Sequence, residues 1–379
     1  MAAVNLNKLS CMNQNCKKFE KVGTNEIGRH GFFVTSQGRR RRLICKACDK
    51  TFSLNKGTPY YRLKKPKRTF DSVAFASVEG TSKSAIARIN HLAVSTVSRW
   101  LELAAVAAKA FNDKSLSGYA IDEIQSDELK TFIGNKNKDT WVFTTIEVPS
   151  RLWPSFVVGN RSSKNTQSLF EKLIEKGVIN GSKILFMNDG LQFYKSSIYK
   201  LFGPLAICAQ VIKKIRKNRI VKVDEELVLG YPHHLEEALE NSLYSTKINT
   251  SFVERLNLTI RQGSSYLNRR TACFSRETRC FIGHLYLLQT YYNFIKYHRS
   301  LKCGPIHITP AMEARIAKRK ISFREVFSFY VFWDTSDVYI VICNRKSDRK
   351  SVSLTEFNGD GFRENIRNNC DISKFDMAA

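Results

Sequence analysis

The spacing of apolar residues changes along the chain. Over residues 78–108, VEGTSKSAIARINHLAVSTVSRWLELAAVAA, it is helical. Ser82 to Ile89 reads as a short helix and NHLAV as a turn-like break. Ser95 can cap a second helix in which Val97, Leu101 and Ala104 or Ala105 share a face. From residue 119 the pattern turns to strands. YAIDEIQSDELKTFIG (119–134), TWVFTTIEV (140–148) and LWPSFVVGN (152–160) are β-rich, with hairpin-like breaks at 135–139 and 149–150. An amphipathic helix over 165–179, with Leu169, Phe170 and Leu173 on one side, precedes an apolar run from Ile184 to Met187 that ends in Asn188, Asp189 and Gly190. The run reads as a buried core strand. A helix near 191–202 and a strand at LAICAQVIK follow.

Three meandering strands, then helix, strand, helix, strand, is the element order of the ribonuclease-H-like α/β fold. There the first and fourth strands lie side by side, so acids on them share one site. Asp189 ends the fourth strand; alone, its Asp-Gly pair is equally good turn chemistry. On the first strand the candidates are Asp122 and Asp127. Five residues apart, they point to opposite faces of an unbroken strand, so at most one joins Asp189. NTSFVERLNLTIRQGSSYLNRRT (249–271) supplies a third acid. Thr250 or Ser251 can cap it, Val253, Leu256 and Ile260 form its apolar stripe, and Glu254, Asn257 and Arg261 form a second stripe rotated by about 100°. Residues 282–301 read as one long core helix, and Trp141 and Trp153 read as core. The tail contains FSFYVFWDTSDVYIVICN, strand-rich and suited to a small sheet or a dimer contact.

Charge sharpens the picture. Lys and Arg number 61 against 34 Asp and Glu, a net +27, and a surface of that sign attracts polyanions, nucleic acid above all. Residues 1–70 carry 17 of the basic residues and 3 acids, half of the excess in under a fifth of the chain. No long uncharged apolar run suggests a membrane span, and the N-terminus lacks the apolar core of a signal peptide, so an intracellular protein is expected. In that setting the ten cysteines are thiols or metal ligands rather than crosslinks. Cys11 and Cys16 in CMNQNC and Cys45 and Cys48 in CKAC are spaced for a tetrahedral zinc site, a zinc ribbon. The hairpin between the pairs turns at Gly38 and sets Arg39, Arg40, Arg41 and Arg42 against phosphates. The helix pair reads as a helix-turn-helix, with Ser95, Thr96, Ser98 and Arg99 facing the major groove of double-stranded DNA.

The blocks C…C…CKAC…TPYYRL, DELKTFIGNKNKDTWVF, FMNDGLQFY, ERLNLTIRQ and YYNFIKYHRSL…TPAMEARI together resemble bacterial and archaeal insertion-sequence transposases of the DDE type that carry an N-terminal zinc ribbon. The likeness spans most of residues 11–315. It leaves out 213–250, an insertion, and the tail beyond about 320. It implies a zinc ribbon over 1–62, a helix-turn-helix over 63–115 and a ribonuclease-H-like catalytic domain over 116–315; the remaining residues, 316–379, read as a strand-rich tail. It implies that Asp127, rather than Asp122, is the first catalytic acid, Asp189 the second and Glu254 the third. The three would hold two Mg²⁺ or Mn²⁺ ions for cleavage at the transposon ends and strand transfer to target DNA. Arg261, with Arg269 and Arg270, would hold phosphates, and Asn257 would orient the third acid. A homodimer or higher homo-oligomer is expected, because two DNA ends must be joined, and a cytoplasmic, nucleoid-associated location. The alternative is a catalytically inactive DNA-binding regulator derived from such an enzyme.

Overall fold

The computed structural model describes residues 6–19, 21–35, 38–179, 183–216, 219–268 and 273–328. It is a mixed α/β chain whose described residues divide into two compact units, one formed by those within 6–76, 83–110 and 323–328, the other by those within 77–82 and 111–322. Among the described residues no helix is long and apolar enough to cross a membrane.

In the first unit, strands β1 (Ile27–Thr35), β2 (Gly38–Cys45) and β3 (Thr51–Ser53) form an antiparallel sheet in that order. Leu43, Ile27 and Phe52 pack around the four cysteines, a core too small to hold a fold without help. Helices α1 (Lys67–Val78), α2 (Lys83–Ile89) and α3 (Val94–Ser115) follow. The break between α2 and α3 falls at 90–93, where His91 has φ 49°. Helix α3 starts at Val94, so Ser95 lies inside its first turn instead of capping it. Its buried side is set by Val97, Trp100 and Ala104; Leu101 is half-buried. The expected stripe is thus rotated toward the tryptophan, the larger apolar surface.

The second unit is built on a six-stranded sheet. Its strands are β5 (Glu123–Phe132), β6 (Asp139–Glu147), β7 (Phe156–Gly159), β9 (Ile184–Asp189), β10 (Ala206–Arg216) and β11 (Arg219–Leu229), in the order β11-β10-β9-β5-β6-β7. The short β4 (Tyr119–Ala120) and β8 (Gly177–Val178) pair beside it. β5, β6 and β7 form an antiparallel meander, and the first and fourth strands, β5 and β9, are parallel neighbours. β9 has partners on both sides, and Ile184 to Asn188 are all buried, which is why its sequence is a continuous apolar run instead of an alternating one. Its side chains still alternate. Phe186 packs against Phe170 of α4 (Ser163–Lys176) and Phe202 of α5 (Gln192–Phe202), with ring centres 5.8 and 4.7 Å away. Leu185 and Met187 face the other way, onto Leu235 of α6 (Pro232–Asn241). Helix α7 (Ser251–Gln262) lies on that second face and buries Val253, Leu256 and Ile260 against β5 and β6. Each such side chain stabilises the fold by about 2 kcal/mol.

Several expected bounds move. The helix expected over 165–179 ends at Lys176, and Gly177–Val178 form β8. The strand expected over 152–160 is reduced to β7, because Pro154 cannot donate to a ladder. Residues 213–250 complete β10 and supply β11 and α6. The helix expected over 282–301 is α8 (Thr278–Thr290), closed by one π turn at Tyr291–Ile295, where Lys296 N–H donates to Tyr291 O at 2.8 Å. The chain then turns away well short of Leu301. Short helices α9 (Pro310–Glu313) and α10 (Phe323–Val326) end the described chain, and the strand-rich stretch expected beyond it lies outside the described residues.

Candidate active site and metal centre

The register of the central strands builds the acidic site. Glu123, Gln125 and Asp127 alternate onto the face that carries α7. In the parallel pairing Gln125 lies opposite Met187 and Ser126 opposite Asn188, so Asp127 stands beside Asp189, where β9 ends. Asp122, before the start of β5, is remote from this point; its carbonyl accepts from Leu185 N–H at the opposite end of β9.

Polar bonds pin α7 to β5. Gln125, fully buried, accepts from the N–H groups of Phe252 and Val253 at 2.9 and 3.1 Å, so a strand residue caps the helix. Its amide donates to Asn249 Oδ1 at 3.2 Å. Thr250 occupies the N-cap position but spends its hydroxyl on Glu254 Oε1 at 3.0 Å. One turn on, Asn257 Nδ2 donates to Asp127 Oδ2 at 2.8 Å, and Asn257 Oδ1 accepts from Thr144 Oγ1 of β6 at 2.9 Å. Asn257 therefore orients the first acid, not the third as the sequence pattern suggested. The other Asp127 oxygen accepts from Glu128 N–H at 2.8 Å.

Asp127, Glu128 and Asp189 each bring a carboxylate oxygen within 4.8 Å of the others. Glu128 was not foreseen. It approaches round the end of β9 from the opposite sheet face, where Tyr194 Oη donates to it at 3.1 Å and Arg161 pairs with it. Burial, followed by the charge of Asp189, pushes Asp127 up to about 6 and Glu128 up to about 7. Burial also raises Asp189, against the opposing charges of Arg161 and Lys213. Desolvated acids that repel one another are what a bound divalent cation relieves, and oxygen ligands suit Mg²⁺ or Mn²⁺. The donor set fits.

Glu254 lies outside this trio. Its Oε1 takes Lys213 of β10 and Thr250, although its charge reaches Asp127 and helps to raise that acid. Arg261, expected to face phosphates, donates to the Leu267 carbonyl at 3.2 Å. Arg269 and Arg270 lie outside the described residues.

In the first unit the four cysteines converge. Cys11 Sγ lies 3.6 Å from Cys48 Sγ and Cys16 Sγ 3.8 Å from Cys45 Sγ, and all four sulfurs fall within 4.8 Å of one another. A tetrahedron with metal–sulfur bonds of about 2.3 Å has edges of about 3.8 Å. Backbone N–H groups of Asn13 and Lys18 donate to Cys11 and Cys16, each at 3.4 Å, and would support thiolates. Burial, joined by hydrogen bonds among the cysteines, pushes the Cys11 and Cys45 thiols up, and a cation bound among the sulfurs would relieve this. Beside it, Phe32 pairs with Arg41, and the guanidinium carbons of Arg39 and Arg41 lie 4.0 and 4.4 Å from its ring centre. Arg42 approaches Phe33 at 5.5 Å, and Arg40 stands opposite Phe33 in the ladder. On α3, Ser95 is exposed, while Thr96, Ser98 and Arg99 are half-buried.

No protein-family model matches the chain, and no curated protein matches its sequence.

Proposed function

We propose that the chain is a DDE-type DNA transposase, with a zinc ribbon and helix-turn-helix for binding transposon ends and a ribonuclease-H-like unit for cutting and joining. The observation that carries this reading is the convergence of Asp127 and Asp189 on adjacent parallel strands, with a helix carrying Asn257 and Glu254 docked on the same face.

Asp127, Asp189 and Glu254 would hold Mg²⁺ or Mn²⁺, and Cys11, Cys16, Cys45 and Cys48 would hold Zn²⁺. Bound Mg²⁺ or Mn²⁺, two ions in this class of reaction, supplies activation of the attacking oxygen and stabilisation of the leaving one. Water attacks a phosphodiester at the transposon end, the bond from phosphorus to the 3′ oxygen breaks, and a 3′-hydroxyl is released. That hydroxyl then attacks a target phosphodiester and displaces its 3′ oxygen. In both steps Asn257 and the Glu128 N–H hold Asp127 in one rotamer, and Thr144 keeps the Asn257 amide turned toward it. Arg39 to Arg42 and the first turn of α3 would contact double-stranded DNA.

The test supplies labelled duplex carrying the element's own terminal repeats with Mg²⁺ or Mn²⁺ and compares the wild type with Asp189→Asn and Asp122→Asn. Metal-dependent nicking that Asp189→Asn abolishes and Asp122→Asn retains supports the reading. Nicking that survives in Asp189→Asn removes it. One observation favours a second reading, an inactive DNA-binding regulator: Glu254 is engaged by Lys213 instead of joining the other acids. End binding without nicking would decide for it.

A further inference from the structure

The acidic site has a cation of its own that no sequence pattern indicated. Arg161 lies in the short connection between β7 and α4. Its Nη2 pairs with Glu128 Oε1, and its guanidinium carbon lies 4.9 Å from the centre of the Trp141 ring. Glu128 is locked in turn: its side chain is 2% exposed and its second oxygen accepts from Tyr194 Oη. Trp141 sits on β6 opposite Lys130 of β5, so the ring is fixed by the same sheet that carries Asp127. The Arg161 side chain is 43% exposed. A guanidinium offers five N–H donors in a rigid fork, and one carboxylate oxygen does not saturate them. Its charge is felt at Asp189 and at Glu128, which places it within electrostatic reach of two of the three clustered acids.

Among the described residues, two other cations of this region, Arg261 and Lys213, have protein partners. Arg261 donates to a backbone carbonyl, and Lys213 pairs with Glu254. A phosphodiester brought up to clustered carboxylates is repelled by them, and a guanidinium held beside those carboxylates offers it an opposing charge.

We propose that Arg161 grips the phosphodiester being cut, with Glu128 and Trp141 as positioning residues that hold its guanidinium beside the carboxylates. The proposal rests on the nuclease reading of this site. It assigns Glu128 a role distinct from the proposed metal ligands: Glu128 aims the arginine, while Asp127, Asp189 and Glu254 would serve the metal.

The experiment uses the full chain and a terminal-repeat duplex, either unmodified or carrying one methylphosphonate, which lacks the negative charge, at the position the wild type nicks. Binding is measured in Ca²⁺ and single-turnover nicking in Mg²⁺, for the wild type, Arg161→Lys, Arg161→Gln, Trp141→Phe and Trp141→Ala. The wild type should bind the methylphosphonate duplex about tenfold more weakly than the unmodified one. Arg161→Gln should lose about that factor on the unmodified duplex and nothing further on the modified one, and should nick about 100-fold more slowly. Arg161→Lys and Trp141→Phe should recover part of the rate that Arg161→Gln and Trp141→Ala lose, at unchanged urea midpoints. If Arg161→Gln is as sensitive to the methylphosphonate as the wild type, or nicks at its rate, the inference is wrong while the nuclease reading stands. A wild type that nicks nothing overturns both.

Discussion

Asp127→Asn should make the metal-free protein more stable at neutral pH while removing its affinity for divalent cations. Asp127 is raised from 3.8 to about 6 by burial and then by the charge of Asp189. At about 1.36 kcal/mol per pH unit, ionising it in the folded state at pH 7.5 costs on the order of 3 kcal/mol. Asparagine avoids that cost. It has a single acceptor oxygen, however, where the carboxylate serves both Asn257 Nδ2 and Glu128 N–H, so one hydrogen bond of about 1 kcal/mol is lost. The net expectation is a gain of about 1–2 kcal/mol at pH 7.5. The sign follows from the raised value. The contribution of wild-type Asp127 to stability is full below about 3.8 and is lost as pH rises through about 6. At pH 5 the wild type still bears about 1.6 kcal/mol of that cost, so the advantage of the variant should shrink to under about 1 kcal/mol there and vanish only near about pH 4.5. Urea unfolding in magnesium-free buffer at pH 5.0 and 7.5, with a Mn²⁺ titration of the folded protein, measures both effects. A variant less stable than the wild type at pH 7.5, or offset equally at both pH values, would show that burial and the charge of Asp189 do not hold Asp127 above the usual carboxylate range.

Other expectations follow from the same geometry. Asn257→Leu should weaken Mn²⁺ binding by about 10–100-fold, as the loss of a group that orients a ligand does, and calorimetry with unchanged affinity would refute that. Gln125→Met removes the acceptor for two helix N–H groups at a fully buried position and should lower stability by about 1–3 kcal/mol, read from the urea midpoint; a neutral result would mean that α7 does not depend on this cap. Cys16→Ser should reduce bound zinc per chain and free the remaining ribbon thiols for a thiol reagent, so wild-type zinc content in the variant would contradict a four-cysteine site.

What sequence could show depended on whether a signal was local. The cysteine pairs, the buried run of β9 and the stripe Val253, Leu256, Ile260 each report within a few residues, and the structure contains all three. The i, i+2 stripe Glu123, Gln125, Asp127 was equally local and could have pointed to Gln125, since polar residues facing inward from a central strand need a partner. Glu128, Arg161 and Lys213 carried no such signal. Their positions depend on where β9 stops and on the registers of β5 and β10 against it, and Arg161 sits in a connection with no period. The overlong helix at 282–301 failed for a related reason: a π turn keeps the apolar content of a helix while ending its path.

The return of the chain to its first unit has a thermodynamic consequence. Tyr60 and Phe70 of that unit pack edge-on against Phe327, and Arg324 Nε donates to Asp71 at 2.7 Å, so contacts there wait for residues more than 250 positions downstream. Closing a flexible loop of about 210 residues between them would cost about 5 kcal/mol of chain entropy. Once folded, the second unit brings its own two ends to one spot: the Phe111 ring lies 5.1 Å from Phe294, and Ile321 N–H donates to Phe294 O at 3.0 Å. The inserted unit thus works as a clasp that prepays the entropy of its host. Melting the clasp lowers the host's stability even where no side chain of the host has changed.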